Sequence, residues 1–118
     1  MRAMRARAVL IAALGLGPVT ALAAADDCGR PEPPVVPDGA TATEEELGAA
    51  GSAVRAFISD SQTYLACLED KEAAYGEDIT PAQQALIDAI YNSGVEAMEA
   101  AAAAYNAAVR AYREREDG

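Results

Sequence analysis

The chain has 118 residues, 19 acids against nine Lys and Arg, a net charge of −10, no His and no Trp. Such a balance excludes binding to nucleic acid or to anionic lipid through a basic patch, because both draw on clustered Lys and Arg. The missing His removes the usual general base, the Ser-His pair and the commonest zinc ligand.

Residues 1–25 begin with Arg2, Arg5 and Arg7, continue as an apolar run from Val9 to Gly17, and close on small residues around Leu22. That order is the pattern of a Sec-type signal peptide, with cleavage expected before Asp26 and cleavage after Ala23 as the near alternative. An uncleaved anchor is the competing reading. Gly15, Gly17 and Pro18 interrupt the 17 residues from Val9 to Ala25, a length at the lower limit for a membrane span. Cleavage removes three arginines and no acid, leaving 93 residues with a net charge of −13. The expected product is an exported, acidic protein, periplasmic or secreted, that does not associate with the membrane after cleavage.

Residues 26–43 hold Pro31, Pro33, Pro34 and Pro37, which forbid a helix and favour an extended strap. Cys28 and Cys67 are the only cysteines, and an even count in an exported chain predicts one structural disulfide. A reactive thiol pair is the functional alternative, but the spacing is unlike Cys-x-x-Cys.

Residues 44–118 read as a helical hairpin. Thr43-Glu44-Glu45-Glu46 is a capping box that opens a first helix. Leu47, Val54, Phe57, Ile58, Tyr64, Leu65 and Leu68 follow at helical steps, with Ser61 interrupting the stripe. Gly76-Glu77-Asp78 ends this helix near residue 75. Thr80-Pro81-Ala82-Gln83 then caps a second helix of about 35 residues, expected over about 81–115.

A connection this short makes the helices antiparallel neighbours. Folding about residues 77 and 78 sets Leu65 and Leu68 against Ile87 and Ile90. It also sets Gly51, Ser52 and Ala53 against Ala102, Ala103 and Ala104, and Glu44 to Glu46 near Arg110, Arg113 and Arg115. Cys67 lies about 36 Å along the first helix. An extended strap reaches about 46 Å, so it can run back along that helix to the disulfide. The expected fold is all-α: an antiparallel two-helix hairpin with a disulfide-pinned proline-rich strap. Two such hairpins are able to complete a four-helix bundle.

Tyr91-Asn92 with Val95 and Met98 returns fourteen residues later as Tyr105-Asn106 with Val109 and Tyr112. Two heptads bring these positions back to one side of the helix, as in a coiled coil. Packing against the first helix is one reading of Tyr91, Val95, Met98, Tyr105, Val109 and Tyr112. The other is that the stripe exceeds what one helix and a strap cover, which makes it a candidate interaction face for a protein partner or a second copy. No catalytic residue, metal ligand set or cofactor site is expected. Glu69 with Glu72 and Glu96 with Glu99 are isolated carboxylate pairs on exposed helical phases. The expectation is a non-catalytic structural or interaction protein rather than an enzyme.

Two resemblances accompany these readings. Across the mature chain, "CGRPEPPVVPDGATATEEE", "YLACLEDKE", "YNSGVEAME" and "YNAAVRAY" resemble a family of small exported proteins of unknown function from Gram-negative bacteria. That likeness implies no activity. Ile79-Thr80-Pro81-Ala82-Gln83 resembles the Leu-Thr-x-x-Gln motif of the Spy/CpxP periplasmic proteins, with Ile for Leu and one copy where that family usually has two. This second likeness implies a periplasmic chaperone or envelope-stress modulator.

Overall fold

A computed structural model of the protein describes residues 28–117. The leader expected over residues 1–25 lies outside them. The order of elements is a strap, helix α1 (Glu44–Tyr75), a single 3-10 turn (Gly76–Asp78) and helix α2 (Pro81–Asp117). The architecture is the expected antiparallel hairpin, with α2 two residues longer than its sequence pattern suggested.

Each helix starts where its cap dictates. The Glu46 amide donates to Thr43 Oγ1 at 3.0 Å, and the Thr43 amide donates to Glu46 Oε1 at 2.9 Å. Thr80 and Gln83 repeat the exchange at 2.9 and 3.1 Å before Pro81. Two orphan amides are thereby satisfied at each start. α1 stops at Gly76, whose φ of +57° suits a residue without a Cβ and lets its amide reach the Ala73 carbonyl.

The core runs as three clusters along the hairpin. Tyr64, Leu65 and Leu68 fill the turn end, with Ile90 packed against them as expected. Val54, Phe57 and Ala101 hold the middle. Leu47, Ala108 and Ala42 close the open end. The line of α1 that points inward is Leu47, Val54, Ser61 and Leu68, and that of α2 is Ile87, Gly94, Ala101 and Ala108. Both repeat every seven residues, the spacing that keeps two helices in register along a shared seam.

The strap forms a third layer. A disulfide joins Cys28 to Cys67 across 39 residues of sequence, with Cα atoms 5.5 Å apart. Closing such a loop stabilises the fold by about 4 kcal/mol in the chain-entropy account. From Cys28 the strap crosses both helices. Arg30 Nη2 donates to Ser93 Oγ on α2 at 2.9 Å, and Val36 packs on both the middle and the open-end clusters. The strap then turns at Asp38, whose side chain accepts the Ala40 amide and whose carbonyl accepts those of Thr41 and Ala42. Buried Gly39 lies against the Ala108 backbone, and Arg115 Nη1 donates to the Gly39 carbonyl at 3.1 Å.

One detail differs from expectation. Gly51 does not face alanines; the Tyr105 ring lies over it, while Ser52, Ala53, Ala103 and Ala104 are exposed. The close approaches are made instead by Gly94 against Leu65 and by Gly39 against Ala108. At the open end, Glu46 is engaged in its own cap, and Arg115 turns to Gly39 and to Glu116, at 3.5 Å. Its guanidinium also stacks 4.6 Å from the centre of the Tyr112 ring. Arg115 therefore joins strap to helix rather than helix to helix.

Candidate interaction face

Successive residues of an α-helix turn by about 100°, so positions four past the inward line of α2 lie about 40° to one side of it. These are Tyr91, Met98, Tyr105 and Tyr112. Val95 and Val109 lie farther round on the same side, about 80–100° from the seam. The positions on the opposite side of α2 include Ser93, Ala104 and Ala111, where Arg30 and the Val36–Gly39 segment of the strap rest. The same arithmetic on α1 puts Cys67, Ala53 and Ala49 on the strap's side, and Gly51, Ile58 and Leu65 on the other. In an antiparallel pair these sides coincide. The hairpin thus has one face under the strap and one face lined by the Tyr/Met row.

Contacts agree with this division. Tyr105 covers Gly51 and packs on the Val54, Phe57 and Ala101 cluster. Met98 bridges that cluster and the one at the turn end, where Tyr91 and Val95 also pack. Tyr112 packs at the open end. Tyr91 Oη donates to Glu69 Oε2 at 3.4 Å, so one α1 carboxylate holds the outer end of the row. Next to it, Gln84 Nε2 donates to Glu72 at 2.6 Å and to Asp88 at 3.0 Å.

All six residues of the row, Tyr91, Val95, Met98, Tyr105, Val109 and Tyr112, are half-buried. Each of the clustered five places one edge on α1 and leaves another at the surface. Val109 is half-buried outside the three clusters. The residues that fill the seam are Ile87, Gly94, Ala101 and Ala108, all buried. The row therefore borders the core without being its centre.

No family model, curated protein or solved structure matches the chain.

The remaining surface offers little chemistry. Two open furrows flank the strap, one lined by Ala104, Ala107 and Ala111 with Asp38, the other by Ala49 and Ala53 with Glu46. Each contains a single carboxylate side chain, and each carboxylate already accepts a backbone amide of its own turn or cap. Among the described residues no three His, Cys, Asp or Glu side chains gather as metal ligands would. Of the Ile79–Gln83 motif, Thr80 and Gln83 are the two halves of the α2 capping box.

Proposed function

We propose that this is a non-catalytic, exported helical-hairpin protein that acts through protein–protein contact in the bacterial periplasm. The observation that carries the proposal is the half-buried Tyr/Met/Val row on the face away from the strap. Leu47, Val54 and Leu68 of α1 with Ile87, Gly94, Ala101 and Ala108 of α2 fill the seam, and the row beside it packs on the core with one edge while staying only half-buried. The large side chains beside the seam supply area that a second protein surface would bury at about 25 cal/mol per Å². Tyr and Met suit such a face because they combine a large apolar body with polar or adaptable ends.

Self-association is the simplest form of that contact, since two rows facing each other complete a four-helix bundle. Export is supported by the leader pattern of the sequence and by the Cys28–Cys67 disulfide, a bond that persists in oxidising compartments. Among the described residues no helix is long and apolar enough to cross a membrane.

Light scattering of the mature chain over a wide concentration range tests self-association. A mass of twice the monomer, reduced to the monomer by Met98→Glu with Val109→Glu at unchanged helicity, is the expected result. A monomer at every concentration removes the bundle. A photo-crosslinking residue at position 109 then decides the broader reading: if it captures neither a second copy nor any protein in native periplasm, the row is not an interaction face.

A further inference from the structure

We propose that the Cys28–Cys67 disulfide is a latch, whose reduction frees the strap and uncovers the groove beneath it while the hairpin stays folded. This does not rest on the reading of the Tyr/Met row, which lies on the other face.

The strap is docked at its Gly39–Ala42 end, where Arg115 bonds the Gly39 carbonyl and Ala42 is buried, but between Cys28 and Pro37 it is held chiefly by the disulfide. Of its residues from Cys28 to Thr43, only Gly39 and Ala42 are buried. Val35, the large apolar residue most open to solvent, is 93% exposed and gives no hold. Among the described residues, the one polar tether between the disulfide and the Asp38 turn is the exposed hydrogen bond from Arg30 to Ser93. Val36 is the one side chain of the segment that reaches two core clusters. Among the described residues, the proline-rich stretch makes no backbone–backbone hydrogen bond to either helix.

The hairpin, by contrast, does not depend on the strap for its definition. Each helix carries its own capping box. The turn-end cluster of Tyr64, Leu65 and Leu68 is packed by Ile90, Tyr91, Val95 and Met98 from α2, with Cys28 as the strap's one contribution. Release would open the side of Leu47, Val54, Phe57 and Ala108 that Val36 now covers.

Cys28 and Cys67 are both half-buried rather than buried. The step is thiol–disulfide exchange with a dithiol reductant. One thiolate of the dithiol attacks a sulfur of the Cys28–Cys67 bond, forming a mixed disulfide and expelling the other cysteine as a thiolate. The second thiol of the reductant then displaces the attached cysteine. Two electrons and two protons pass to Cys28 and Cys67, which end as thiols, and the dithiol ends as a disulfide.

Dithiothreitol added to the folded mature chain tests the latch, with amide exchange and methyl resonances followed by NMR. The Thr41 and Ala42 amides, bonded to the Asp38 carbonyl, are expected to exchange at least tenfold faster after reduction. The Val36 methyls should move to random-coil positions, while Val54 and Ala101 amides stay slow. Reoxidation should restore the first state. Unchanged Val36 and Ala42 signals would overturn the latch, since noncovalent contacts would then hold the strap alone. Loss of protection at Val54 and Ala101 would overturn it equally, because the bond would then hold the whole fold. The Cys28→Ser, Cys67→Ser double variant should match the reduced chain; a variant lacking helical structure counts as the second failure.

Discussion

The ring of Tyr105 lies across the backbone of Gly51. A Cβ at Gly51 would stand 2.7 Å from the Tyr105 hydroxyl oxygen and 2.9 Å from its Cζ. The glycine is thus a seat for an aromatic ring in the middle of a 32-residue helix, where Gly costs about 1 kcal/mol relative to Ala. The seat brings Tyr105 onto the Val54 and Phe57 cluster, which places the outer row and the seam in contact.

Gly51→Ala therefore sets helix propensity against this contact. In the otherwise unchanged chain the ring must swing away, and the expected net effect lies between zero and about 1 kcal/mol of destabilisation. In a Tyr105→Ala background the same change should stabilise by about 1 kcal/mol. Urea unfolding of the four proteins of the cycle gives the coupling directly. Additive effects would mean that the ring does not occupy the seat.

Gly39 presents a harder steric case. An added Cβ would fall on the Ala108 carbonyl oxygen, and both partners are backbone. Its φ is not positive, so contact rather than conformation demands glycine. Gly39→Ala should destabilise by about 2 kcal/mol, because the strap must lift from α2 and Ala42 loses its seat. Gly48 provides the contrast: it is a helical glycine with nothing near an added Cβ. Gly48→Ala should raise stability by up to about 1 kcal/mol. Thermal melts of the two variants should move in opposite directions.

The features that sequence reveals well here are those with local causes. Thr43-x-x-Glu46 and Thr80-x-x-Gln83 mark the helix starts because the capping exchange is complete within four residues. The disulfide follows from having two cysteines and a strap long enough to join them. What the pattern does not rank is neighbouring lines of one helix. Tyr91, Met98, Tyr105 and Tyr112 are the bulky apolar choice for a seam, whereas Gly94, Ala101 and Ala108 bury little apolar area. Yet close axes require small residues between them, and the large ones are displaced to the flank. Gly39 and Arg115 are illegible for a related reason. Their partners, Ala108 and the Gly39 carbonyl, are brought near only once strap and hairpin have docked.

Ser61 is the remaining irregularity of the α1 seam, lying between Val54 and Leu68 on the inward line and only 2% exposed. Among the described residues its hydroxyl has no hydrogen-bond partner. A buried hydroxyl without a partner costs about 1–3 kcal/mol. Serine is also a poorer helix former than alanine, because its side chain competes for backbone groups. Ser61→Ala removes the unpaired group with a loss of one atom in volume, so the chain should become more stable by about 1 kcal/mol. The measurement is the urea midpoint at constant m-value, since a change in m would signal an altered unfolded state. A loss of stability would show that the hydroxyl is satisfied, with a water or with a helical carbonyl of the preceding turn as acceptor. That outcome would make Ser61 a stabilising polar point in an otherwise apolar seam.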